Sequence, residues 1–185
     1  DLILIYHNTI LVGVVVVLLI FWYVGTYNGI KVSKLKVEEA LSGIDVALTK
    51  RYDVLVKMLD VVKGYQKHEK ELLMEIVNLR SGMSMQERNQ ANQKMNEIAG
   101  QIRILAENYP ELKADQNFLA LQDQLEGTEN RITVERGRFN ETVTAYNTYI
   151  RSFPNNIIAN MSGFRVKEKF AADVAAQSAP VVSFD

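Results

Sequence analysis

The sequence predicts an all-α protein: one N-terminal helix able to cross a bilayer, followed by an antiparallel helix bundle, read as four helices with a long first and a long last member. Three observations carry this prediction. The stretch Ile10–Tyr27 reads ILVGVVVVLLIFWYVGTY, and no Asp, Glu, Lys or Arg occurs between Asp1 and Lys31. Downstream, apolar residues recur at spacings of three and four, the period of a helix with one buried face. The 185 residues hold three prolines, and charged residues make up 23% of the chain, which argues against a long disordered segment. The expected organisation is residues 1–28 as a transmembrane signal anchor, 29–160 as the bundle, and 161–185 as a tail with room for a short helix.

A bilayer core needs about 20 apolar residues at roughly 1.5 Å rise each, and Ile10–Tyr27 with its flanks meets that length. Phe21, Trp22 and Tyr23 cluster near one end and Tyr6 precedes the other. Rings with a polar edge favour the two interfaces, so these residues bracket the span. A buried helix of a soluble core is the first rival, but the remaining chain is too small and too amphipathic to wrap it. A cleaved signal peptide is the second. Against it stand a start without Lys or Arg and bulky aromatics where an Ala-x-Ala-like site would be needed. Lys31, Lys34 and Lys36 follow the span, so the positive-inside rule places the C-terminal domain in the cytoplasm.

Composition narrows the function classes. All 21 Lys and Arg lie from Lys31 onward, as do all acids but Asp1, so the domain's formal charges cancel. Nucleic-acid binding depends on neutralising phosphates, and a domain without net positive charge is a poor candidate for it. The absence of cysteine removes disulfides, thiolate catalysis and thiolate metal sites.

After the span, Asn and Gly in Tyr27-Asn28-Gly29 favour leaving the helix, so a hinge is expected here, with helical continuity as the alternative. A stripe then runs through Val37, Leu41, Ile44, Leu48, Tyr52, Leu55, Leu59 and Val62, widened by Val54, Val56, Met58 and Val61. Lys63-Gly64-Tyr65 resembles a helix stop. Yet the stripe continues in phase as Tyr65, Leu72, Ile76 and Leu79. Either the chain turns near Gly64 and a second helix runs to Arg80, or one helix runs through. The turn is preferred because an even helix count gives each helix an antiparallel neighbour. Ser84-Met85-Gln86-Glu87 is a capping box. It opens a helix to about Asn108 with Met95, Ile98, Ile102 and Leu105 inward. Tyr109-Pro110 breaks that helix. Asp115 is placed to cap the last long helix, whose stripe is Phe118, Leu121, Leu125, Ile132, Phe139, Val143, Tyr146 and Ile150, with Thr128 and Glu135 filling the phase between. Gly127 and Gly137 inside it point to close helix packing. Phe153-Pro154 ends the helix, and the return toward the membrane is expected to bring Ile157, Ile158, Met161 and Phe164 near the bilayer or a neighbouring subunit.

No catalytic, cofactor-binding or metal-ligating residue is assigned. His68-Glu69 would open a zinc-protease motif, but position 72 is Leu where the second His is needed. Glu126, Glu129, Glu135 and Glu141 lack the Glu-x-x-His pairs of a bundle metal site. The polar residues beside apolar positions are more informative: Asp45, Arg51 and Asp53 flank one stripe, and Asn130, Arg131, Asn140 and Asn147 flank another. Buried polar groups must be paired and can set helix register, so an inter-helix network is the first reading and a ligand cleft the second.

In order along the chain, Ile44-Asp45-Val46, Lys50-Arg51-Tyr52-Asp53, Val62-Lys63-Gly64-Tyr65 and His68-Glu69-Lys70 resemble segments of the LemA family. So do Tyr109-Pro110-Glu111-Leu112-Lys113-Ala114, Asn117-Phe118, Thr128-Glu129-Asn130-Arg131-Ile132, Phe139-Asn140, Tyr146-Asn147 and Phe153-Pro154. The resemblance runs from about Tyr27 into the tail. It departs from the family pattern at Phe139, where Tyr is usual, and at Val56-Lys57, where Pro-Asn is usual. The resemblance implies a bacterial single-span inner-membrane protein with a helical-bundle domain and no established enzymatic activity. Some members are linked by gene neighbourhood to membrane proteases, and one relative takes part in building magnetosome membranes. The expected function is a non-enzymatic membrane scaffold or adaptor that self-associates. Its expected partners are the lipid bilayer, further copies of itself and, through that neighbourhood, a membrane protease, with no nucleic acid and no cofactor. The rival is a protease's regulatory subunit, or an enzyme with a polar cleft.

Overall fold

The structure, a computed structural model, describes residues 2–62 and 83–170. Among them are five helices and no strand: α1 (Leu2–Val62), α2 (Met85–Asn108), α3 (Pro110–Lys113), α4 (Gln116–Arg151) and α5 (Asn155–Met161). The all-α prediction therefore holds. The turn expected near Gly64, the helix expected from there to Arg80 and the tail from 171 lie outside the described residues. The chain forms two compact units. One joins α1 up to Ala40 with the chain from Arg138 onward, and the other is Leu41–Gly137.

α1 passes through Tyr27-Asn28-Gly29 as unbroken helix. Gly29 serves another purpose than a hinge: a Cβ there would collide with the Tyr149 hydroxyl. Here glycine permits close approach of a neighbouring ring, a use that looks the same in sequence as a helix break.

In the first unit, α1 is exposed from Ile5 to Gly25, apart from a half-buried Trp22, and its packing begins at Thr26. Ile30, Val37, Val143, Tyr146, Ile150 and Ile158 are among its buried residues. α5 ends in a Schellman turn: Gly163 has φ +73, its amide donates to the Asn160 carbonyl and the Phe164 amide donates to the Ala159 carbonyl. The turn sends the chain back along α4 as an extended strap, residues 164–170.

In the second unit, α1, α2 and α4 bury the predicted stripes. Ile44, Leu48, Leu55, Leu59 and Val62 are buried on α1, Met95, Ile98, Ile102 and Leu105 on α2, and Phe118, Leu125 and Ile132 on α4. Each such side chain contributes about 1.5–3 kcal/mol relative to exposure. Val54 and Met58 are buried as well, so this part of α1 is covered on more than one side. Leu112 on α3 is buried, and Asp115 caps α4 by accepting from the Phe118 amide at 2.9 Å.

The capping box at α2 is complete. The Glu87 amide donates to Ser84 Oγ, and the Ser84 amide donates to the Glu87 carboxylate. These bonds, the Ser84 amide first, hold the Glu87 carboxyl below its ordinary value of 4.5. A carboxylate with a depressed pKa stabilises the fold above its unfolded pKa, and that contribution is lost as pH falls through the folded one. Ser84→Ala is expected to lower stability by about 1 kcal/mol in denaturant unfolding at neutral pH. Glu87→Gln is expected to abolish the acid-dependent part of the box, read as a flatter stability profile below the ordinary carboxylate range.

Close packing was expected at Gly127 and Gly137, and the structure corrects this. A Cβ at either would meet nothing within 4 Å, and both positions are exposed. Gly127→Ala and Gly137→Ala are accordingly expected to stabilise α4, by up to ~1 kcal/mol each, because alanine loses less backbone entropy in a helix. Thermal melts of the single and double variants check this.

Candidate functional site

The polar residues singled out in the sequence fall in both units and have different roles. In the second unit, Asp45 on α1 meets Arg88 on α2 in a two-pronged pair, with Arg88 Nε donating to Oδ1 at 2.6 Å and Nη2 to Oδ2 at 2.8 Å. Arg88 Nη1 also donates to the Met83 carbonyl. One turn farther along, Arg51 Nη1 donates to Asn92 Oδ1 at 3.4 Å, and both residues are buried. α2 meets α4 through Arg136 Nη2, which donates to Asn89 Oδ1 at 3.4 Å. The planar fork of Arg88 meets the Asp45 carboxylate with two directed bonds, so the pair ties α2 to α1 at one register. Asp53 lies on the exposed side of α1.

The partners Arg88 and Asn92 carried a signal that the sequence reading passed over. Both extend the buried face of Ala91, Met95 and Ile98 by helical spacing. A polar side chain at such a position reads the same whether it faces solvent or a buried partner.

Glu135, on the α4 stripe, is buried and accepts from Arg131 Nε at 2.9 Å. Its carboxylate lies against Gly43 on α1, where a Cβ would stand 2.7 Å from Oε2. Glu126, Glu129 and Glu141 are exposed, as is Asn130. Beside Gly43 lies an open cleft of about 840 Å³, with Ser42, Val46 and Lys50 from α1 and Gln124, Thr128 and Arg131 from α4 among its walls. Of the singled-out residues, Arg131 alone lines it. Its lining is largely small or aliphatic, with cations at Lys50 and Arg131. The Thr128 hydroxyl donates to the Leu125 carbonyl. Among the described residues no group of three or more His, Asp or Glu is placed to hold a metal ion. His68 and Glu69 lie outside the described residues.

In the first unit, Asn140 and Asn147 bind the strap. The Asn147 side chain donates to the Lys167 carbonyl and accepts from the Lys167 amide, both at 2.8 Å. The Asn140 side chain treats Phe170 the same way, donating at 3.1 Å and accepting at 2.7 Å. Next to Asn147, the Tyr146 hydroxyl donates to the Arg165 carbonyl at 3.1 Å, and burial pushes its pKa up. Each carboxamide thus gives one strap residue both bonds that a neighbouring β-strand would supply. The spacing explains why two suffice. Seven residues on a helix rise about 10.5 Å, and three residues of extended chain cover about 10 Å, so the two asparagines fall opposite Lys167 and Phe170. Phe170 adds an edge-to-face contact with Phe139, centroids 6.2 Å apart. The bonds address backbone atoms only. The sequence placed the asparagines correctly beside the stripe but held no sign of which segment they hold.

The sequence model of the LemA family matches residues 40–184, which includes both polar groups and the strap. The chain is also similar to Protein LemA of Metamycoplasma hominis, 28% identical over 165 residues, covering 83% of this chain and 75% of that relative.

Proposed function

The chain belongs to the LemA family, and from that premise we propose that it is a membrane-anchored, non-enzymatic helical scaffold that self-associates at a bacterial inner membrane, with its helical units on the cytoplasmic side. One observation carries the proposal. The apolar stretch of α1 up to Val24 is exposed, with Leu11, Leu18 and Phe21 more than half accessible, while the same helix is packed from Thr26 onward. Water around so much apolar side chain costs about 25 cal/mol per Å², and a bilayer removes that cost. Tyr23 and Tyr27 stack at 6.1 Å, and the Lys31 ammonium lies 4.9 Å from the Tyr27 ring centre, which suits an interface between lipid and water. Asn140, Asn147, Arg51, Arg88 and Asp45 support a structural use of the polar groups, because each holds one segment of the chain on another.

Self-association is supported by the open surface at Gly13, where neighbouring helices have room to approach closely. Size measurement in mild detergent tests it: a multiple of the monomer mass is expected, and a monomer at high protein concentration sinks it. Crosslinking in native membranes with mass spectrometry separates contacts between copies from contacts to another protein.

The cleft beside Gly43 favours a second reading, in which the chain is a regulatory or adaptor subunit of a membrane protease, or an enzyme acting on a small molecule held there. A small molecule or metal copurifying in stoichiometric amount, and lost on Lys50→Ala with Arg131→Ala, would move the assignment to this reading.

A further inference from the structure

We propose that the corner joining α4 to α5 is a second membrane contact, in which Phe153, Ile157 and Met161 enter the boundary between headgroups and acyl chains. The proposal rests on the reading that α1 crosses the bilayer. These three side chains are 81%, 45% and 75% exposed. Ile157 and Met161 are four apart and share a face of α5, while Ile158 and Ala159 on the opposite face are buried. Of the residues expected near the bilayer, Ile158 is therefore turned inward, and Phe164 is taken up against Tyr27 with ring centroids 5.7 Å apart.

The level of the corner along α1 points to lipid. Tyr149 abuts Gly29, and the strap runs from Phe170 near Asn140 to Phe164 at Tyr27, so the C-terminal end of α4 is directed toward the apolar end of α1. Phe153 follows α4, which ends at Arg151, and Phe164, which follows α5, lies against Tyr27, so the corner sits at this end of α1. Tyr27 itself lies inside the uncharged stretch that ends at Lys31. Packing against α1 thus begins before the first charge on α1 is reached, and the corner comes within the depth that the span itself occupies.

Charge selects lipid over a second copy of the same corner. No acidic residue occurs between Glu141 and Glu168, nor on α1 between Asp1 and Glu38. Lys31, Arg151 and Arg165 are exposed at this end of the unit. Two such corners facing each other would bring like charges together, whereas anionic headgroups neutralise them within a Debye length. An apolar face rimmed by cations, lying flat at the interface, is the pattern of a monotopic contact.

The test uses the full chain in vesicles of phosphatidylcholine and phosphatidylglycerol whose acyl chains carry bromine either near the headgroup or near the chain end. Trp22 is the one tryptophan of the sequence and reports on the span in the unaltered protein. Trp22→Phe combined with Phe153→Trp reports on the corner, and Trp22→Phe with Met161→Trp does so independently should the first variant fold poorly. Val134→Trp, at an exposed site in the other unit, is the comparison. Bromine near the headgroup is expected to quench the corner reporters by roughly twofold, more than bromine near the chain end and more than at Val134→Trp. Quenching of Trp22 with none at the corner overturns the proposal and leaves the span intact. A corner reporter shifted to the blue but unquenched also overturns it, since a second copy then covers the face. Absence of quenching at Trp22 overturns the span reading, and the proposal with it.

Discussion

Replacing Val14 and Leu18 together by arginine is expected to reduce the membrane-retained fraction of the protein from nearly all to a minority, measured as resistance to alkaline extraction. The two positions are four apart and lie on one exposed face of α1. An arginine at the middle of a span costs about 2.5–3.5 kcal/mol on insertion scales, so the pair costs roughly 5–7 kcal/mol. Long side chains near a helix end can snorkel to the interface, but these positions lie inside Ile10–Tyr27, Leu18 about one turn and Val14 about two turns before Trp22. Val14→Leu with Leu18→Val, which keeps the apolar character, is expected to leave retention unchanged. If the doubly charged variant stays in the membrane while its expression and fold are normal, α1 is not the anchor. The same variant separates anchoring from folding, since the second unit uses α1 only from Leu41 onward.

Asn140→Ala combined with Asn147→Ala is expected to free the strap from α4. Four hydrogen bonds to Lys167 and Phe170 are lost. At about 0.5–1.5 kcal/mol net for each, the loss is roughly 2–6 kcal/mol when the strap is released to water. Amide hydrogen exchange reads this directly, because two of the four bonds are donated by the Lys167 and Phe170 amides. Exchange at these amides is expected to speed up at least about tenfold, with little change at Ile98 or Ile102 on α2. Asn147→Asp is a sharper probe. The carboxylate still accepts from the Lys167 amide but meets the Lys167 carbonyl with no donor, so one bond becomes a repulsion. Unchanged exchange in the double alanine variant would mean that Phe170 against Phe139 holds the strap without the carboxamides.

The helices themselves were largely legible. The α2 start at Ser84, its end at Asn108, the Asp115 cap and the α4 stripe each rest on interactions within a few residues, and such interactions are written in local sequence. Glycine shows where that legibility stops. Gly29 was read as a hinge and proves to be a site of close approach, while Gly127 and Gly137 were read as close packing and prove to be open. A missing Cβ leaves the same mark in sequence for each use, and only the neighbouring element tells them apart. Arg88 and Asn92 were passed over for a related reason: a polar side chain on an apolar face is buried when a partner waits there, and the partner comes from another helix more than 40 residues away.

By itself the sequence determined that the chain is helical, which face of each helix is apolar, and that its N-terminal helix is apolar enough and long enough for a bilayer. These follow from composition and period, which act on a segment regardless of what surrounds it. Tertiary structure alone decided that Asp45 locks α2 through Arg88, that Asn140 and Asn147 hold residues 164–170, and that Phe164 beyond α5 rests on Tyr27. Each of those joins residues distant in the chain, and the register between them is set by packing and by the geometry of specific hydrogen bonds, which no single segment encodes.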